Sequence, residues 1–237
     1  MSKILFGILI ANLTLFLPGC VREVPPKESA KPAVSKPAGE HTLVGEKNFL
    51  HGYEPLNPDS TVNMVVEIPA GSNDKWEVKP SDGIMRWDMK DGKPRVVKYL
   101  GYPVNYGMFP KTILPKEFGG DGDPLDALVL GPSQPRGSIL RAKVIGVLKL
   151  LDKGEQDDKI LAVIVDSPLR EVDNLAELNR DFPGVTTILE TWFTNYKGPG
   201  IMEFKGFGDV DEAWQILSAS MEGYHTVHEA EAAEVSR

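Results

Sequence analysis

Three carboxylates fall within six residues in the run Gly120-Asp121-Gly122-Asp123-Pro124-Leu125-Asp126, which passes directly into the apolar stretch Ala127-Leu128-Val129-Leu130. Charges this close repel one another unless a cation lies between them. With no His or Cys nearby, an all-oxygen cluster suits hard Mg2+ or Ca2+ better than zinc. Gly119, Gly120 and Gly122 permit a tight turn and Pro124 fixes one φ. The spacing therefore places Asp121 and Asp123 on a constrained loop and Asp126 at the entry of a buried strand. The plain alternative is a solvated acidic turn. A second acidic hairpin, Asp152 to Lys159, reads on its own as an ordinary polar turn.

The elements that must position these groups follow from periodicity. Val62 to Ile68 is a strand interrupted by Glu67 and ended by Pro69. Lys75-Trp76-Glu77-Val78 alternates, so Lys75 and Glu77 share one face, most simply a solvated one. Ile84 to Asp88 and Arg95 to Tyr99 read as short strands around an Asp91-Gly92 turn. Leu100 to Pro110, broken by Gly and Pro, reads as a rigid loop in which Tyr102, Asn105 and Tyr106 are core side chains with satisfied polar tips or a ligand platform. Leu140 to Leu151 and Lys159 to Val165 are further strands. Helical spacing then sets in at Ile188, Leu189, Trp192, Phe193 and Tyr196, and again at Val210, Trp214, Leu217, Met221 and Tyr224. Tyr196-Lys197 ends the first of these helices, where Gly198-Pro199-Gly200 stops it. Strands first and helices last give an α+β fold, a curled or closed sheet with helices packed outside.

The chain's 237 residues, 41% of them hydrophobic, allow one sizeable core. A net charge of -8 with no Lys/Arg block argues against nucleic acid as a partner but not against an anionic substrate, because bound metal reverses the local sign. At the N-terminus, Lys3, an apolar run from Ile4 to Leu17 and then Leu17-Pro18-Gly19-Cys20 have the layout of a signal peptide. Cys20, the one cysteine, sits where the acylated cysteine of a bacterial lipoprotein would fall, although Pro18 is unusual there. An uncleaved signal anchor, or a start codon placed upstream of a cytoplasmic protein, is the alternative. Residues 20–40, rich in Pro, Lys, Ala and Ser, read as a flexible tether, and 41–237 as the folded domain.

With these pieces located, the chain resembles the soluble family I inorganic pyrophosphatases, eukaryotic-type branch, over roughly Thr61 to Lys197. Asp121-Gly122-Asp123-Pro124-Leu125-Asp126 carries the resemblance. Glu67-Ile68-Pro69, Lys75-Trp76-Glu77, Arg95, Asn105-Tyr106-Gly107, the Asp152 to Lys159 hairpin and Tyr196-Lys197 support it in the right order. The resemblance implies a small closed five-stranded OB-like β-barrel with flanking C-terminal helices, Mg2+ as cofactor, inorganic pyrophosphate as substrate and a homo-oligomeric state. It implies that Asp121, Asp126 and Asp157 hold one Mg2+, with Asp126 shared with a second ion and Asp152 and Asp157 serving a further one. Asp123 would take a proton from the attacking water. Lys75, Arg95, Tyr106, Lys159, Tyr196 and Lys197 would bind phosphate oxygens, and Glu67 and Glu77 would complete the acidic ring. One departure is Lys153, where typical members are acidic.

Other functional classes remain open at this stage. A Ca2+-binding or adhesion module would use the acidic loops structurally, but its EF-hand form fails because Pro124 and a strand replace the exit helix and Pro132 stands at the twelfth position. A barrel of the same fold that binds metal or phosphate without turnover is the other alternative. The N-terminal segment implies an exported enzyme held at a membrane by lipid on Cys20, or else the protein is cytoplasmic.

Overall fold

The computed structural model describes residues 36–114, 120 and 122–235. The signal segment, Cys20, most of the expected tether and Asp121 lie outside the described residues. The described residues open with the hairpin Lys36–Gly39 (β1) and Thr42–Val44 (β2), so residues at the end of the expected tether form a strand. There follow Val62–Ile68 (β3), Trp76–Val78 (β4), Met85–Trp87 (β5), Met89–Lys90 (β6), Lys93–Pro94 (β7), Asn105–Met108 (β8) and Asp126–Leu130 (β9). Ile139–Asp152 (β10), Glu155–Gln156 (β11) and Lys159–Ile164 (β12) lead to the helices Leu175–Asp181 (α1) and Val185–Asn195 (α2). Met202–Gly208 (β13) and Val210–Val235 (α3) complete it.

The arrangement is a mixed sheet with helices, and β10 is its longest strand. Five strands pair in succession, β3 with β8, β8 with β9, β9 with β12 and β12 with β10, and β10 pairs back onto β3 through Ile139↔Val65 to Ala142↔Val62. All are antiparallel except β9 with β12. At Gly107 the main chain of β8 runs so close to β3 that a Cβ would come within 1.8 Å of the Val65 carbonyl oxygen, which explains a glycine between Tyr106 and Met108. A smaller sheet, ordered β1-β2-β5-β4, stands beside this one.

Both faces of the central strands are covered, which is why β12 is buried at every position instead of alternating. Ile68, Leu128, Leu148 and Leu161 share one core with Leu178 of α1 and Leu189, Trp192 and Phe193 of α2. Val66, Ala127, Val129 and Val144 share another with Ala213, Ile216 and Leu217 of α3.

Four expectations need correction. Residues 95–99 form no strand: only the isolated bridge Asp74↔Val96 is laddered, and Asn73 holds the segment by donating to the Val97 and Tyr99 carbonyls. The expected loop at 100–110 contains β8, because Asn105 to Met108 is fully buried between β3 and β9 despite its glycine. The order is not strands then helices, since β13 intervenes between α2 and α3 and pairs along the second half of β10. Its polar, Gly-containing sequence MEFKGFG hid it. Finally, Ile188 lies outside the α2 core stripe and is 56% exposed. No helix among the described residues is long and apolar enough to cross a membrane.

Candidate active site

Period two sets the first wall. On β4, Trp76 and Val78 point into the core, so Lys75, Glu77 and Lys79 share the opposite side and line a cleft of about 340 Å3. Their face is not the solvated one expected. Lys75 Nζ lies 3.1 Å from Glu77 Oε1, and Lys79 Nζ lies 2.9 Å from Glu77 Oε2. Burial acts to raise the Glu77 carboxyl, but these two ammonium groups outweigh it and hold the pKa at about 2. Glu67 projects from β3 beside them, only 5% exposed, and accepts a hydrogen bond from the Val78 amide at 2.6 Å. Burial pushes its pKa up to about 8 against the pull of Lys75. Burial works against a charged Lys75, yet nearby Tyr102, Glu77 and Glu67 hold its pKa above the ordinary lysine value.

The opposite wall comes from β9, the β10–β12 hairpin and the end of α2. Asp126, at the entry of β9, and Asp157, before β12, both accept from Lys159, at 2.5 and 2.9 Å. Lys159 is 2% exposed, and despite that burial its two carboxylate partners hold its pKa well above the usual lysine value. Across the hairpin turn, where Lys153 and Gly154 adopt positive φ, Asp152 Oδ2 accepts from Lys197 at 2.7 Å. Asp158, adjacent to Asp157, turns to a structural task instead: it accepts from the Leu150 amide at 3.1 Å and from Gln156 at 2.7 Å.

Aromatic side chains hold the two walls together. Tyr106 lies beneath Lys75 and Lys159, whose ammonium nitrogens are 4.8 and 5.7 Å from its ring centre. Tyr196 stacks on Trp192 with centroids 4.6 Å apart and planes 14° apart, and the Trp192 indole donates to the Leu100 carbonyl at 3.0 Å. Burial raises the phenols of Tyr106 and Tyr196, so both stay protonated donors near neutral pH.

Asp123 lines the cleft from the exposed loop. Gly122 there has φ 98°, and the loop's exit is held by Leu125, whose amide donates to Thr112 Oγ1 at 3.0 Å. Every expected site residue among the described ones therefore lines one cleft: Glu67, Lys75, Glu77, Arg95, Tyr106, Asp123, Asp126, Asp152, Asp157, Lys159, Tyr196 and Lys197. Sequence reasoning missed Lys79, which simple continuation of the 75, 77 alternation would have found. It also missed Asp88, 2.9 Å from Arg95, which carries no sequence signal of its own.

The lining sets the chemistry. Eight carboxyl side chains face five lysines and arginines, and no Ser, Thr, Cys or His lines the cleft among the described residues. An anion enters such a site only with cations, and carboxylates beside them suit the activation of a water for displacement. The donors are all oxygen, and Asp152 Oδ1 is buried with no hydrogen bond among the described residues. That orphaned acceptor and the Lys159 ammonium between Asp126 and Asp157 fit a place for hard cations. Among the described residues no three His, Cys, Asp or Glu side chains already converge on one metal position, and Asp121 is not among them.

Comparison with known proteins places these observations in a family. The model for "Inorganic pyrophosphatase" matches residues 64–225. The chain is 38% identical to the inorganic pyrophosphatase of Drosophila melanogaster over 159 residues, covering 60% of this chain and 47% of that protein. It is 37% identical to that of Mus musculus over 161 residues, covering 61% and 56%. The chain thus spans about half the length of these relatives. Among solved structures it is similar to inorganic pyrophosphatase from Schistosoma japonicum, with TM-score 0.74, 26% identity and coverage of 78% and 76%. It is also similar to the type I enzyme from Toxoplasma gondii, with TM-score 0.72, 28% identity and coverage of 78% and 93%.

Proposed function

The chain belongs to the inorganic pyrophosphatase family, and from that premise we propose that it hydrolyses inorganic diphosphate to two phosphates with Mg2+. The observation that carries this reading is the cleft in which five cationic side chains interleave with eight carboxyls, with no Ser, Thr, Cys or His among the described lining residues. Diphosphate is highly charged and repels a nucleophile, so its hydrolysis needs neutralisation and positioning more than covalent chemistry.

Asp121, Asp126 and Asp157 are the residues to hold one Mg2+, with Asp126 shared and Asp152 joining Asp157 for another. Bound Mg2+ supplies charge neutralisation and acidifies water. Asp123 accepts a proton from the attacking water as its oxygen bonds to phosphorus and the bridging P–O bond breaks. Lys75 and Lys159, both held charged, and Arg95 and Lys197 take the phosphate oxygens and the charge that develops on the leaving phosphate. Tyr106 and Tyr196 donate hydrogen bonds to those oxygens, and Glu67 and Glu77 complete the acidic ring around the cations.

The ring of pairings β3, β8, β9, β12, β10 and back to β3 supports reading the sheet as a small closed five-stranded OB-like barrel. On Cys20 and the preceding apolar run we place the protein outside the cytoplasm, lipid-anchored through a tether to a domain spanning 41–237 and assembled as a homo-oligomer. Lipid labelling that disappears in Cys20→Ala is the check on the anchor; an unlabelled full-length chain in the cytoplasm would overturn it.

Phosphate release from diphosphate by the purified chain tests the activity. Release with Mg2+, suppressed when Ca2+ replaces it and in Asp123→Asn, is the expected outcome. No release with any divalent metal from folded protein would overturn it in favour of a binding module.

A further inference from the structure

Arg95 lies in a segment that belongs to no strand, yet its side chain, among the richest in rotamer freedom, lines the cleft. Asp88 supplies what the missing ladder does not. Its carbonyl accepts from the Arg95 amide at 2.7 Å, its own amide donates to the Lys75 carbonyl at 2.8 Å, and the Lys75 amide donates to the Arg95 carbonyl at 3.0 Å. These three bonds close a main-chain ring that fixes the spacing of two cations on the cleft wall. The Trp87 indole adds a bond to the same Arg95 carbonyl at 2.9 Å.

The side chain then sets direction. Asp88 Oδ2 accepts from Arg95 Nη1 at 2.9 Å, and Oδ1 lies 4.0 Å from Lys79 Nζ, which is itself 2.9 Å from Glu77 Oε2. A line of alternating charge thus runs Lys75, Glu77, Lys79, Asp88, Arg95. Its four other members line the cleft, and Asp88 is not among the lining residues. A guanidinium has five N–H donors in a rigid fork, so the bond to Asp88 orients it while leaving donors for an anion.

We propose that Asp88 is a positioning residue for anion binding: it aims the Arg95 fork and, through Lys79, keeps the rim carboxylates neutralised, so that the cleft's hold on phosphate groups is set from outside it. This rests on the diphosphate reading above. Asp88→Asn keeps the size of the side chain and both main-chain bonds but removes the negative charge of the acceptor, so the ion pair with Arg95 becomes a weaker bond charged on the donor side alone.

The test uses the full chain with Mg2+, steady-state kinetics on diphosphate and calorimetric binding of inorganic phosphate. Asp88→Asn is expected to raise KM and weaken phosphate binding, each about 3- to 10-fold, with kcat changed less than about twofold. In an Arg95→Ala background the same substitution is expected to have a much smaller effect, because only the contact with Lys79 is left for it to act through. Asp88→Glu, which keeps the charge and the main-chain ring but displaces the carboxylate, is expected to shift KM the same way, and it decides the matter if Asp88→Asn does not fold. Unchanged KM and phosphate affinity in Asp88→Asn, or an undiminished effect in the Arg95→Ala background, would overturn the proposal. If wild type binds phosphate but releases none from diphosphate, the reaction reading fails and the calorimetric comparison still judges Asp88.

Discussion

The ammonium of Lys159, 2% exposed, sits 2.5 Å from Asp126 Oδ2 at the mouth of a parallel strand pair. The pair serves stability before any cation or substrate arrives, and the site residues are consequently not silent in folding. Asp126→Asn, which leaves Lys159 with Asp157 alone as a carboxylate partner, is expected to lower stability in chelator by about 1–3 kcal/mol and to remove turnover. Urea unfolding in chelator beside an activity assay measures both; an unchanged midpoint would deny Lys159 its dependence on Asp126.

Glu67 gives the metal-free protein a pH dependence of definite sign. Its folded pKa, about 8, lies above the unfolded value of 4.5, so the folded state binds the extra proton between these values. Stability is therefore highest at the acid end of that window and falls as pH rises through it, levelling off above about 8. Glu67→Gln is expected to flatten this slope and to be the more stable form at pH 8 by a few kcal/mol at most, on the order expected for a fully buried carboxyl. Unfolding midpoints in chelator from pH 5.5 to 8.5 give the answer, and parallel slopes for the two proteins would contradict it.

Trp192 is the support on which Tyr196 rests. Trp192→Phe removes the indole bond to Leu100 and part of the stacked area, an expected loss of about 1–2 kcal/mol. Tyr196 and Lys197 follow on the same helix end, so KM is expected to rise more than kcat falls. Thermal melting and kinetics on one preparation test this; lost stability with unaltered KM would confine Trp192 to the core.

Asp152 offers one buried oxygen without a partner among the described residues. Mg2+ that binds the folded state alone stabilises it by about 2.7 kcal/mol at a hundred times its dissociation constant. Asp152→Asn is expected to shrink the Mg2+-induced rise in melting temperature while leaving the chelator midpoint near that of wild type. An equal rise in both proteins would take Asp152 out of the metal set.

Much of the site is legible in the sequence itself. The Asp123-Pro124-Leu125-Asp126 spacing, the 75, 77 alternation and the Tyr196-Lys197 helix end all led to residues that share one cleft. What escaped was set by tertiary context. The strand Asn105–Met108 contains a glycine demanded by the Val65 carbonyl on a strand some forty residues earlier. Likewise β13 exists because the long strand β10 offers it an edge, not because MEFKGFG favours extension. Asp88 is informative only once Arg95 is seen beside it.

The pairing of β10 with β3 joins Ile139 to Val65, 74 positions apart, and its pairing with β13 reaches on to Gly208. No early segment of the chain can therefore complete the sheet by itself. During synthesis β3 must wait, one edge unpaired, until β10 has emerged, and the acidic hairpin gains its last neighbour only when β13 follows. The native sheet therefore closes only through contacts of long sequence separation, and the cleft, which draws its walls from β4, β9, β10 and the end of α2, is complete only when they are made.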